Sequence, residues 1–582
     1  MISAKDAHST LLNTMLIRLL IVLLCLNLAI LANSDETAPR VKTLSGALKG
    51  YYKISQYGRK YEAYEGIPYA LPPVGELRFK PPQPIPAWIG ELPATKFGSP
   101  CIQYTYSFSD PTDKVEGAED CLYLNIYVPV RNKTEKISMP VLFWIHGGAF
   151  QFGSGMLYKA TYLMDSNVIL VTINYRLGPM GFLSTEDEVV PGNMGLKDQN
   201  MALRWVSQNI DSFGGDPNGI TLIGQSSGGA SVHYHYLSPM SVGLFRGGMS
   251  FSGTAFDCWA QTESSLEKTK KLSALMRCPT TTSKDMIDCL RYRQARDIVQ
   301  ATSKFMYFFH NPPNPFGPVV EKVGSDTPFI DKTPVEIVNN GDVQDLPWVT
   351  SVVSQEGLYP IAEFIADNKA LKQLNENWDF LGPLLLYFND TIPEKDHVEK
   401  ARFIKQHYLD TKPINQTTTK QLIQMAGDRF FVVDSEKAAR MQAKVNQNPV
   451  WYYYFSYRGN HSLSEAMSGT TKNYGVSHGD DIFYILDSPV VNTTTTQRDR
   501  DMQKVLIDFC VSFATNGIAN MASVEWSKLD PSKKELHYLH IASPTKINMD
   551  SNANLGEKKF WNSIKFNENV LPRKEIGKKC FE

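Results

Sequence analysis

Gly224-Gln225-Ser226-Ser227-Gly228-Gly229-Ala230 decides how the rest of this chain is read. Before it lies Gly219-Ile220-Thr221-Leu222-Ile223, mostly β-branched or apolar, the composition of a buried strand. After it, Ala230 to Leu237 is long enough for a short helix. Ser226 therefore stands at a strand-to-helix turn with a glycine two positions to either side, the G-x-S-x-G nucleophile elbow. Glycine is needed there because neighbouring backbones pack so closely that a Cβ would clash. It makes up roughly 7% of residues, so the bare pattern arises by chance in about one chain in five of this length. A Gly/Ser-rich surface loop is the competing reading, to be decided by whether the chain supplies a base, an acid and an oxyanion hole.

Upstream of the turn, Pro140-Val141-Leu142-Phe143-Trp144-Ile145 is wholly apolar, as a central strand is, and runs into His146-Gly147-Gly148-Ala149-Phe150. Two glycines after a strand let backbone N–H groups approach a substrate, as in the HGGG-type loop that partners the elbow. The expected oxyanion donors are the N–H groups of Gly148, Ala149 and Ser227; an ordinary strand-ending turn is the alternative. Leu122 to Tyr127 and Val168 to Tyr175 read as further strands, and Asn193 to Phe213 as an amphipathic helix. Val41 to Tyr52 reads as an edge hairpin, and Gly66 to Phe79 as irregular surface. The alternation predicts an α/β fold: a large, mostly parallel central sheet flanked by helices.

Downstream, Phe245 to Ser252 adds a strand, and Glu263 to Gln344 reads as a helical insertion over the sheet. Pro347 to Val353 returns to strand character and ends at Ser354-Gln355-Glu356-Gly357. A carboxylate on a loop past a strand, later in the chain than the serine, suits the acid of a triad, although a lone Glu is usually solvated. Leu358 to Asp434 is mainly helical insertion, and Val450 to Tyr457 reads as the last strand. His478 follows in Gly475-Val476-Ser477-His478-Gly479-Asp480-Asp481, as a base or as a surface histidine paired with the two acids. Asp501 to Thr515 reads as a terminal helix.

The 582 residues are 42% hydrophobic with a net charge of -1, which gives no electrostatic case for nucleic acid or an anionic membrane as partner. Arg18 and the apolar run Leu19 to Ala32 predict a signal peptide over residues 1–32, leaving 33–582 as a single domain. The run is short for an uncleaved span, and no apolar tail points to a glycolipid anchor, so the expectation is a secreted, extracellular protein. Cys101 with Cys121, and Cys278 with Cys289, are local pairs bracketing polar loops and read as disulfides. Metal binding is the other reading, but no His or Cys cluster has zinc spacing. Cys25 leaves with the signal; Cys258, Cys510 and Cys580 form an odd remainder. Asn132, Asn389, Asn415, Asn460 and Asn492 head glycosylation sequons.

Taken together, these motifs resemble the type-B carboxylesterases, the α/β-hydrolase family that includes cholinesterases and juvenile hormone esterases. The resemblance runs from about Val41 to Asn520 and rests on several stretches at once. They are Glu119-Asp120-Cys121-Leu122-Tyr123-Leu124-Asn125, His146-Gly147-Gly148, Asn174-Tyr175-Arg176, Gly192-Asn193, Asp198-Gln199, Phe213-Gly214-Gly215-Asp216-Pro217, the elbow, and Gly475 to Asp480. The resemblance implies an α/β-hydrolase fold and a Ser226–Glu356–His478 triad acting on small-molecule carboxylic esters without metal or cofactor. It also implies the same two disulfides and buried ion pairs Arg78–Glu119 and Arg176–Asp198.

The chain departs from the cholinesterase pattern at Asp110-Pro111-Thr112-Asp113, where no tryptophan stands, which argues against a cationic substrate site. Ala149 and Ser227 replace the Gly and Ala of many relatives. Gln225 is shared with juvenile hormone esterases, whereas Ser227 counts against that substrate. The other readings are a catalytically silent adhesion protein and a triacylglycerol lipase.

Overall fold

The computed structural model describes residues 38–105, 115–131, 138–321, 327–521 and 524–570. Eleven strands form one sheet: β1 Tyr51–Ile54, β2 Lys60–Pro68, β3 Tyr123–Pro129, β4 Met139–Ile145, β5 Ile169–Ile173, β6 Gly215–Gln225, β7 Gly247–Phe251, β8 Trp348–Val353, β9 Val450–Phe455, β10 Leu536–Ser543 and β11 Lys546–Asn552. Their spatial order is β11-β10-β9-β8-β7-β6-β4-β5-β3-β2-β1. The seven from β10 to β5 run parallel, and antiparallel strands close both edges. This is the α/β-hydrolase architecture expected from the motifs.

The apolar runs are buried on both faces because helices cover both. Along β4, Val141, Phe143 and Ile145 join one hydrophobic cluster, while Leu142 and Trp144 join the cluster on the opposite face. A strand buried on both sides has no polar alternation to show, which is why Pro140 to Ile145 reads as continuous apolar sequence. The helix Met194–Asn209 packs on one face, and the helix Gln497–Asn516 lies in the opposite cluster. Residues 358–427 form a helical insertion with its own core around Leu358, Trp378, Leu422 and Trp561.

Four sequence readings are corrected. The N-terminal hairpin is Arg40–Thr43 with Gly46–Lys49, in a separate sheet with Glu91–Pro93, and Tyr51 already belongs to β1. Gly66 to Pro68 is strand rather than irregular surface; the neighbouring Glu65 is buried but takes hydrogen bonds from the Tyr51 and Tyr127 hydroxyls. Val450 to Phe455 is not the last strand, and the helix ending at Asn516 is not terminal, because β10 and β11 follow. Strand β11 is an edge, exposed along most of its length, and its polar residues hide the periodic signal.

Cys101–Cys121 and Cys278–Cys289 are bonded, and Cys258 and Cys510 are buried free thiols. Arg78 grips both carboxylate oxygens of Glu119 at 2.6 and 2.7 Å, and Arg176 grips Asp198 at 2.7 Å twice. Both pairs lie away from the catalytic candidates and tie segments together.

Candidate active site

The spatial order 5-4-6 is a reversal in the sheet, where loops leaving neighbouring strands diverge and open a crevice at their carboxyl ends. The candidate residues emerge there. His146 to Ala149 follow β4, Ser226 follows β6, and Glu356 follows β8. His478 arrives from the segment after β9.

Ser226 has φ 58° and ψ -126°, a conformation that side chains rarely adopt. Its surroundings impose it. The Ser226 N–H donates to the Phe251 carbonyl at 2.8 Å, and its own carbonyl accepts from Ala230 at 2.8 Å. A Cβ on Gly224 would strike the Gly228 carbonyl, and one on Gly228 would strike that of Ile145. Both glycines of the elbow are therefore required by contact between backbones.

His478 Nδ1 lies 2.6 Å from Glu356 Oε2, and Glu356 Oε1 accepts from the Val353 N–H at 2.7 Å. A carboxylate accepts only, so Nδ1 carries a proton and Nε2 of the neutral ring carries the lone pair. His478, Ser226 and Glu356 are 4%, 6% and 1% exposed, so their interactions are little screened. The rings of Tyr359 and Phe431 pack against the imidazole with centroids 5.4 and 4.4 Å away. Phe431 reaches it from a π-helical turn, Asp428–Val432, a widening with no sequence period to announce it.

The two acids beside His478 do not pair with it. Asp480 accepts from the Ser477 and Leu463 N–H groups at 2.7 and 2.8 Å, and Asp481 accepts from the Tyr453 hydroxyl at 2.7 Å. Burial pushes Asp480 up to about 7 and Asp481 up to about 6. They hold the loop; of the three carboxylates only Glu356 meets a ring nitrogen, Nδ1.

Among the described residues, the N–H groups of Gly148, Ala149 and Ser227 donate to no protein acceptor. Gly148 and Ala149, both at positive φ, line the same cavity as Ser226 and His478. Ala149 is a non-glycine held at φ 52°. His146 is fully buried behind this loop, stacked on Tyr175, and burial pushes it down to about 4; it is structural. The cavity holds about 210 Å³, and its other walls include Phe152, Leu157, Tyr158, Met467 and Phe483. Among the described residues, no Asp, Glu, Lys or Arg lines it. Sequence reasoning missed these walls, the two aromatic neighbours of His478 and the position of the Gln225 side chain. Only the apolar run Ile482 to Leu486, which contains Phe483, could have hinted at the first.

The model of the carboxylesterase family matches residues 37–561. The chain belongs to the carboxylesterase family. Its relatives include venom carboxylesterase-6 of Apis mellifera, 54% identical over 557 residues, covering 96% of this chain and all of that one. The juvenile hormone esterase of Tribolium castaneum is 38% identical over 529 residues, covering 86% and 89% of the two chains. Among solved structures, juvenile hormone esterase from Manduca sexta with OTFP covalently attached is similar at a TM-score of 0.79 and 28% identity. That match covers 90% of this chain and 99% of the Manduca chain. This carboxylesterase is thus a carboxylic ester hydrolase acting on small-molecule esters. Among the described residues, no helix is long and apolar enough to cross a membrane.

Proposed function

We propose that this carboxylesterase is a secreted serine hydrolase in which Ser226 attacks the ester carbonyl and His478 takes its proton. Glu356 holds the tautomer with the Nδ1 proton and steadies the imidazolium. The N–H groups of Gly148, Ala149 and Ser227 receive the oxyanion. His478 returns the proton to the leaving alcohol, and water activated by the same nitrogen then releases the acyl group. The observation that carries this reading is the 2.6 Å contact with Glu356 made by Nδ1 of His478, which lines the same cavity as the strained Ser226. An uncharged, largely apolar lining favours neutral esters. Replacing Ser226 with Ala is expected to lower ester turnover at least about 10⁴-fold with an unchanged melting temperature. Turnover retained by the folded variant would assign the nucleophile elsewhere.

Secretion is supported by the apolar segment after Arg18, by two disulfides and by the exposed sequons Asn460 and Asn492. Asn389 and Asn415 are partly exposed, and Asn132, like residues 1–32, lies outside the described residues. Protein expressed in insect cells should appear in the medium with a mature N-terminus near residue 33. A product that stays cell-bound with Met1 or Met15 intact would refute this.

The apolar cavity and the likeness to the Manduca enzyme favour a second reading, hydrolysis of a juvenile hormone-type ester. A kcat/KM for such a hormone below that for a short-chain nitrophenyl ester would argue against it.

A further inference from the structure

The side chain before the nucleophile occupies the atom the nucleophile needs. Gln225 Nε2 lies 2.9 Å from His478 Nε2, and both residues are buried. Because Glu356 fixes the ring proton on Nδ1, the unprotonated Nε2 is an acceptor, and the Gln225 group facing it is the amide donor. An imidazole nitrogen has one in-plane lone pair. Among the described residues, no hydrogen bond joins Ser226 Oγ to that nitrogen, and the Gln225 amide takes its place.

The fold makes room for this contact. Gly147 has no positive φ, yet a Cβ there would come within 2.8 Å of Gln225 Oε1 and 2.7 Å of its carbonyl. A Cβ on Gly479 would lie 3.1 Å from Gln225 Nε2. The carboxamide thus lies close to two glycines that line the cavity, Gly147 on the oxyanion loop and Gly479 beside His478. His478 is held by Glu356 at Nδ1 and packed by Tyr359 and Phe431, so the ring is poorly placed to change partners by moving.

We propose that Gln225 is a positioning residue that caps the base in the resting enzyme. Its amide must turn off Nε2 before Ser226 can donate to that atom, and a substrate entering between the oxyanion loop and Gly479 displaces it. The free enzyme therefore holds a muted serine, activated as the site fills. The inference rests on the triad proposed above.

The test uses full-length enzyme and a small neutral organophosphate, diethyl p-nitrophenyl phosphate, followed by intact mass and peptide mapping. Wild type should gain one adduct on the Ser226 peptide; no adduct would overturn the triad and the cap together. With that adduct established, Gln225→Leu and Gln225→Met should form it faster, by about threefold or more in the second-order rate constant. A rate unchanged or lowered in folded variants overturns the cap alone. Gln225→Glu supplies an acceptor that holds a proton on Nε2. It should move the acid limb of the rate–pH profile upward by about one unit or more. The other charged groups facing the ring, Glu356 and Asp481, are the same in every variant. A merely structural Gln225 leaves that limb in place, and that result overturns the proposal even if the uncharged variants fail to fold.

Discussion

The Ser226 turn and the His478 loop meet in one cavity but are held by different means. The turn is fixed by backbone against backbone: Gly224 on Gly228, Gly228 on Ile145, and the Ser226 N–H on the Phe251 carbonyl. The His478 loop is fixed by side chains. Gln355 Oε1 accepts from the Val476 N–H at 2.8 Å, Asp480 accepts from two backbone N–H groups, and Asp481 is anchored by Tyr453. Close packing leaves Ser226 no alternative position. Buried polar contacts hold the base with groups whose charge depends on pH.

The largest effect expected from probing this difference lies at the carboxylate. Glu356→Gln puts an amide where two N–H donors, Val353 N and His478 Nδ1, both need an acceptor. Ester turnover should fall about 10³- to 10⁴-fold with little loss of stability, measured as kcat against the urea midpoint. A loss under tenfold would mean that Glu356 does not orient the base. At the turn the balance reverses. Gly228→Ala drives a methyl into the Ile145 carbonyl and should cost about 3 kcal/mol of stability, with activity falling alongside. A variant as stable as wild type would show that the elbow yields.

Asp480→Asn is milder. One of two backbone donors loses its acceptor, which should cost about 1–2 kcal/mol and lower kcat about tenfold while KM holds. An unchanged kcat would show that the loop does not need this anchor.

The smallest effect is one of sign, read by hydrogen exchange corrected for intrinsic rates. Burial depresses His146 from 6.5 to about 4, so its contribution is present above pH 6.5 and lost as pH falls through about 4. Burial raises Asp480 from 3.8 to about 7, so its contribution is full below about pH 4 and lost as pH rises through about 7. Protection at residues 151–153, whose N–H groups bond to Gly148 and Gln103 beside the His146 ring, should therefore weaken toward acid, and protection at 475–480 toward neutrality. Parallel trends at the two loops would contradict the contrast.

The same difference explains what could be read in the sequence. A turn built on glycine contact leaves glycines at fixed spacing, so the Ser226 turn and the 146–149 loop were legible as structure. The apolar runs of β4, β5 and β8 were legible because helices bury both their faces. Glu356 stood at the right point past β8, but its grip on His478 spans 122 positions and leaves no local mark. Asp480 and Asp481 looked like partners of His478 because adjacency says nothing about where side chains point. Phe431 was hidden in a π-helical turn, and β11 was hidden by the polar residues of a sheet edge.

The contact between Gln225 and His478 joins residues 253 positions apart in the chain. Every group proposed for chemistry must therefore wait for the polypeptide to be nearly finished, since His478 follows four-fifths of it. On the proposed triad, a nascent or truncated product carries Ser226 but no base to arm it. By the same proposal, the cell that makes this esterase is spared its activity until the last quarter of the chain has been synthesised and docked.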